Sequence, residues 1–179
     1  MLFIVQDPYT SYYDAKVVRD FVALTQKLGF EPILLPFKPN GKAMHIKGFL
    51  ARFSKTAKTQ AEFLNRVAKL NVPLVGVDSA IVLSYRDEYK EALGDSRGDF
   101  HVLTAHEWLT NQLESNTLQS AVKNIAKSDR TFEWHLFPHC TESTFMPNSP
   151  KEWQHIFTQF GQTLKVEKVG CCGMAGVFG

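Results

Sequence analysis

The chain has 179 residues, 44% of them hydrophobic and 21% charged, with a formal net charge of +2. That is the profile of one ordinary soluble domain or two small lobes, with ample length for a core. The near-neutral balance selects no charged partner class and gives no reason to expect nucleic acid.

Strands and helices alternate along the chain. Leu2–Gln6 is an apolar strand candidate, and Asp14–Leu28 carries helical periodicity at Val17, Val18, Phe21, Leu24 and Leu28. Gly29 is placed to end that helix. Pro32–Pro36 supplies a second strand, and Pro39-Asn40-Gly41 is a turn signal. A helical region over Gly48–Leu70 precedes the strand Pro73–Val77. Asp78-Ser79 then caps a helix expected to run to Leu93. Phe100–Leu103, helices over Glu107–Leu113 and Thr117–Ala126, and the strand Phe132–Phe137 follow. Apolar strands alternating with helices predict an α/β fold of two related, Rossmann-like lobes with parallel sheets. Gly94–Asp99 is the expected boundary, dividing the chain into 1–94 and 95–179.

An internal repeat supports that division. An offset of 132 carries Asp20 onto Glu152, Phe21 onto Trp153, Leu24 onto Ile156 and Leu28 onto Phe160, without a gap. It also carries Gly29 onto Gly161 and Gly41 onto Gly173. The second copy stops six residues after Gly173, whereas the first continues through a helix, a third strand and Leu83–Asp87. The second lobe therefore reads as incomplete, and the chain as a piece of something longer.

The cysteines are the sharpest chemical signal. Cys171 and Cys172 are adjacent and flanked by glycines, and Cys140 lies upstream with 30 residues between. Thiolates are natural ligands for iron–sulfur clusters and zinc, and glycine lets backbone approach a ligand closely. A strand–Gly-turn–helix order places Cys171 and Cys172 at the C-terminal edge of a parallel sheet, where ligands of open α/β folds collect. Cys140, at the end of the adjacent strand, would reach the same edge. Three cysteines, two of them adjacent, do not form a secreted disulfide framework. The N-terminal Met-Leu-Phe-Ile-Val lacks the basic flank and cleavage site of a signal peptide. No run approaches the roughly 18 apolar residues of a membrane span. The expected compartment is reducing and cytoplasmic, peripheral at most to the inner face of a membrane.

The segment Leu136-Phe137-Pro138-His139-Cys140-Thr141-Glu142, followed by Gly170-Cys171-Cys172-Gly173-Met174-Ala175-Gly176, resembles the cysteine-rich CCG domain. That domain occurs in the cysteine-rich component of heterodisulfide reductase, in the iron–sulfur component of glycolate oxidase, and at the end of large FAD-linked oxidases. The last group, of the D-lactate and D-2-hydroxyglutarate dehydrogenase type, is the most similar. Its members carry segments like Gln6–Asp14, Pro39–Lys42 and Tyr85–Tyr89. The resemblance implies Cys140, Cys171 and Cys172 as ligands of an iron–sulfur cluster, or of zinc, with Gly173 and Gly176 letting the backbone wrap it. It also implies an FAD domain and ferredoxin-like domains elsewhere in a parent polypeptide, and an electron acceptor. No catalytic residue is expected in this chain, which has no dinucleotide-binding glycine motif and no phosphate-binding loop. In the first half the family's cysteines are replaced by Pro8, Pro39, Asn40 and Ser84.

Other readings stay open. Cys140 would also suit a buried apolar position, and Cys171-Cys172 a vicinal disulfide or redox dithiol. A metal-free or zinc-stabilised docking domain is a further alternative. Eight basic residues and one acid, Glu62, lie between Lys38 and Lys69; they form either a docking patch or a solvated helix face. Lys42, after the Gly turn, reads as a solvated loop residue in preference to part of an anion-binding loop. His139 could ligate metal, while His45, His101, His106, His135 and His155 show no ligand spacing. Trp134 and Trp153 fit core positions.

Overall fold

The structure, a computed structural model, describes residues 1–114, 118–125, 132–168 and 170. Its elements are β1 (Leu2–Val5), α1 (Pro8–Tyr12), α2 (Ala15–Lys27), β2 (Pro32–Leu34), α3 (Lys42–Ile46), α4 (Leu50–Ala68) and β3 (Leu74–Gly76). There follow α5 (Ser79–Arg86), α6 (Glu88–Leu93), β4 (Val102–Thr104), α7 (Ala105–Glu114), α8 (Gln119–Ile125), β5 (Glu133–Leu136), α9 (Cys140–Phe145), α10 (Ser149–Gln159) and β6 (Thr163–Val166). The fold is α/β, as expected. One parallel sheet has the order β2-β1-β3-β4, and a second consists of β5 and β6, also parallel.

The run Leu2-Phe3-Ile4-Val5 is apolar throughout because β1 is central and both of its faces are covered. Phe3 and Val5 enter a core with Phe53, Ala57, Leu64, Tyr85 and Tyr89, below α4, α5 and α6. Leu2 and Ile4 enter another with Val18, Phe21, Trp108 and Leu109. Ile156 of α10 belongs to that second core, so the C-terminal half is seated on the N-terminal one through shared apolar burial.

The repeat holds at the level of single hydrogen bonds. α2 ends with Gly29 at φ 87°, where Gly29 N donates to Gln26 O and Phe30 N to Thr25 O. α10 ends with Gly161 at φ 70°, where Gly161 N donates to Thr158 O and Gln162 N to Phe157 O. Both are Schellman caps, which need a left-handed residue that glycine supplies without strain. Strand register repeats as well. Leu2 pairs with Pro32 and Ile4 with Leu34, and 132 residues on Trp134 pairs with Leu164 and Leu136 with Val166.

Three local expectations change. The helix expected from Ser79 to Leu93 is broken at Asp87 into α5 and α6; Tyr85 and Tyr89, on either side of the break, both face the first core, with ring centroids 5.1 Å apart. Gly94–Asp99 contains a short 3-10 helix, Gly94–Arg97, and Asn65 holds the segment by donating to Arg97 O and accepting from the N–H groups of Asp99 and Phe100. The four-stranded sheet continues past this segment to β4. Trp134 is not a core residue. It is 47% exposed, whereas its counterpart Leu2 is fully buried, because β5 has a strand neighbour on one side only among the described residues.

Candidate functional site

The C-terminal ends of β1, β3 and β5 lead into α1, α5 and α9 by short connections. Asp7 accepts from Thr10 N at 2.8 Å and from the Thr10 hydroxyl, capping α1. Asp78 accepts from Ala80 N at 2.8 Å and Ile81 N at 3.1 Å, capping α5. His139 occupies the same position before α9 without a side-chain cap bond, and its Nδ1 is buried without a hydrogen-bond partner. The three connections border a cleft of 540 Å³ lined in part by Tyr9, Lys42, Asp78, Ser79, His139 and Thr141. Burial raises the Asp78 pKa above its ordinary value; the Ile81 N–H opposes this, the Asp7 carboxylate adds to it, and His139 pulls it down.

Cys140 is the first residue of α9, between two residues that line the cleft. It is a half-buried free thiol. β5 and β6 end in register, Leu136 beside Val166, so the chain leaves both strands at this same sheet edge. Cys171, Cys172, Gly173 and Gly176 lie outside the described residues. Among the described residues, no group of three His, Cys, Asp or Glu side chains could hold a metal ion. The donor type present, a thiol at the mouth of a parallel sheet, suits a soft metal or an iron–sulfur cluster.

The first half carries no thiol at the equivalent positions, and the structure gives those residues other tasks. Pro8 opens α1, where its missing N–H costs nothing. Asn40 is buried and organises its turn: its Oδ1 accepts from Lys42 N at 2.9 Å, and its carbonyl accepts from the Tyr89 hydroxyl at 2.6 Å. Gly41 has φ 82°, and a Cβ there would stand 2.9 Å from the Phe53 ring. Ser84 is buried with its hydroxyl unpaired. Lys42 is not a solvated loop residue, since it forms a largely buried ion pair with Glu88.

One cluster has no signature in the spacing of the sequence. Glu142 is buried where the halves meet, and the hydroxyls of Ser79 and Ser149 donate to it, as does Trp153 Nε1 at 3.3 Å. His106, fully buried, stands 3.6 Å from Glu142 and 3.2 Å from Glu152, and its Nδ1 is 3.0 Å from the Thr104 hydroxyl. The offset that defines the repeat maps Thr10 onto Glu142, and burial of Thr10 in the first half is the one hint that position 142 faces inward. Next to it, Arg86 donates to both carboxylate oxygens of Glu107, at 2.9 and 2.5 Å. Burial alone would raise the Glu107 pKa, but the hydrogen bond from Arg86, the Thr104 N–H and the guanidinium charge together hold it below the ordinary range. The basic residues Arg52, Lys55, Lys58, Arg66 and Lys69 are exposed on and just after α4, with Glu62 among them.

No protein-family model matches the chain, and no solved structure matches it. Three curated relatives are named D-2-hydroxyglutarate dehydrogenase. The one from Haemophilus influenzae is 82% identical over 179 residues, covering all of this chain and 17% of the relative. Those from Escherichia coli and Pantoea ananatis are 58% and 54% identical over 176 residues, each covering 98% of this chain and 16% of the relative. The chain thus spans about one sixth of the length of the curated relatives it matches, and over that span it is similar to them almost without interruption.

Proposed function

We propose that this chain is a segment of a flavin-dependent dehydrogenase of 2-hydroxy acids, of the D-2-hydroxyglutarate type, and that it serves as its electron-transfer domain. Similarity along its whole length to enzymes of that name supports the first part. The second part is carried by one observation: Cys140, a free thiol, stands at the sheet edge where β5 and β6 end in register. Cys140, Cys171 and Cys172 would hold an iron–sulfur cluster of the CCG-domain kind, and Gly173 and Gly176 would let the backbone close around it. A bound cluster supplies a one-electron carrier. The FAD belongs to another part of the longer polypeptide, and the chain's own work is to bind, orient and shield. The test is iron, zinc and acid-labile sulfide per chain in the full-length enzyme purified anaerobically, with and without Cys172→Ser. Iron with sulfide, lost in the variant, is the expected result; zinc alone or no metal overturns the cluster role.

The exposed basic stripe of α4 favours a second reading, a docking domain for an acidic redox partner. It expects zinc or no metal at the thiols, and partner binding that weakens as salt is raised.

A further inference from the structure

In the N-terminal sheet β1 is paired on both sides: Leu2 N donates to Glu31 O and Leu35 N to Ile4 O on the β2 side, and Phe3 N donates to Pro73 O on the β3 side. In the C-terminal sheet the β2-side bond recurs 132 residues on, with Glu167 N donating to Leu136 O at 2.9 Å. The repeat therefore directs the backbone groups of His135 and Phe137, counterparts of Phe3 and Val5, to the other side of β5. Among the described residues no strand pairs there. The exposure of nearby aromatic rings follows: Trp134 is 47% and Phe137 66% exposed, while Leu2 and Val5 are buried. An edge with apolar side chains and unpaired backbone is a template for another strand.

We propose that this edge of β5 receives a parallel strand from the same polypeptide, C-terminal to residue 179. The occupant is set by the first half. There the strand on this side, β3, follows β2 in the chain and runs parallel to β1, with Phe3 opposite Leu74 and Ile4 opposite Val75. The curated relatives are about six times as long as this chain. Side-chain chemistry sets its pattern. On one face of the β5–β6 sheet Glu133, His135, Lys165 and Glu167 form an exposed ionic row, with Lys165 2.9 Å from Glu133 and His135 2.6 Å from Glu167. Leu136 and Trp134 lie on the opposite face. The incoming strand consequently alternates, polar opposite His135 and apolar opposite Leu136, unlike the wholly buried Leu74-Val75-Gly76.

The proposal rests on the repeat and not on a cluster, so it can fail or succeed whatever the metal content. Two measurements on the full-length polypeptide test it. Residue-resolved hydrogen exchange should show the His135 and Phe137 amides slowed about 100-fold or more, on a par with Phe3 and Val5, as for amides released only by opening of a paired strand. A photoreactive benzoylphenylalanine in place of Phe137 should cross-link within one polypeptide, to a segment C-terminal to residue 179. Rapid exchange at both amides, a cross-link between two copies, or a cross-link to an N-terminal segment would overturn it.

Discussion

Truncating Glu142 to alanine removes the carboxylate that ties α9 to α5, α7 and α10. Two hydroxyls, one indole N–H and His106 converge on it at a buried site. A hydrogen bond to a charged group contributes about 1.5–3 kcal/mol, and breaking a buried charged cluster by removing one member costs about 3–5 kcal/mol. The Ser79 and Ser149 hydroxyls can turn toward other acceptors, so the separate terms do not add in full. We expect Glu142→Ala to cost about 3–5 kcal/mol, lowering Tm by roughly 8–15 °C in a domain of this size. The assay is equilibrium urea unfolding, run as a double-mutant cycle with Ser79→Ala. Ser79 is on the N-terminal half and Glu142 on the C-terminal half, so a coupling of about 1–2 kcal/mol measures the contact between halves directly. A loss below about 1 kcal/mol for Glu142→Ala, or strict additivity with Ser79→Ala, would refute the network as the bond between halves.

Three other perturbations have defined outcomes. Gly41→Ala puts a Cβ 2.9 Å from the Phe53 ring at φ 82°, and should cost about 1–3 kcal/mol in the same unfolding assay. Asp78→Asn keeps the oxygen that caps α5 and removes a charge whose burial raises its pKa. A group with a raised folded pKa stabilises fully below its unfolded value and loses that contribution as pH rises, so the variant should be the more stable protein at pH 7 and equal to wild type near about pH 3. Arg86→Ala leaves Glu107 without its two guanidinium bonds. Because the Glu107 pKa is depressed, the pair's contribution is present above the ordinary glutamate value and is lost as pH falls through the lowered one. Urea titrations across that range should show the variant losing about 2 kcal/mol at pH 7 and a flatter acid limb than wild type.

Much of the backbone is legible in the sequence because its causes are local. The stripe of Val18, Phe21 and Leu28 predicts α2, and a glycine one residue past its last apolar position predicts the cap that forms at Gly29. The same reasoning, moved by the repeat, places α10 and Gly161. What the sequence conceals depends on contacts distant in the chain. The core that Tyr85 and Tyr89 share with Phe53 joins segments far apart in the chain, and the Lys42–Glu88 pair joins residues 46 apart. Glu142 meets Ser79 across 63 residues. No periodicity encodes such partners. Trp134 misleads for the converse reason: apolar character shows that a residue would gain from burial, not that a neighbour is present to bury it.

Because the two halves share strand register and glycine caps among the described residues, their differences there reside in side chains. On one face of the first sheet stand Phe3 and Leu35, packed beneath α4; the second has His135 and Glu167 there, joined as an ion pair. Thr10, held by Asp7 within its own helix start, becomes Glu142, held by Ser79 of α5 and approached by His106 of α7. Pro8 becomes Cys140. Of these changes, Glu142 moves the second half from internal contacts toward contacts outside itself, and the ion pair replaces apolar packing with an exposed polar row. An exposed ion pair contributes little, about 0–1 kcal/mol, against the roughly 1.5–3 kcal/mol of a buried large apolar side chain. The half that carries the thiols therefore draws its rigidity from the interface around Glu142 and Ile156. Loss of the Glu142 contacts should then raise hydrogen exchange in β5, β6 and α9 before it does so in β1 or β3.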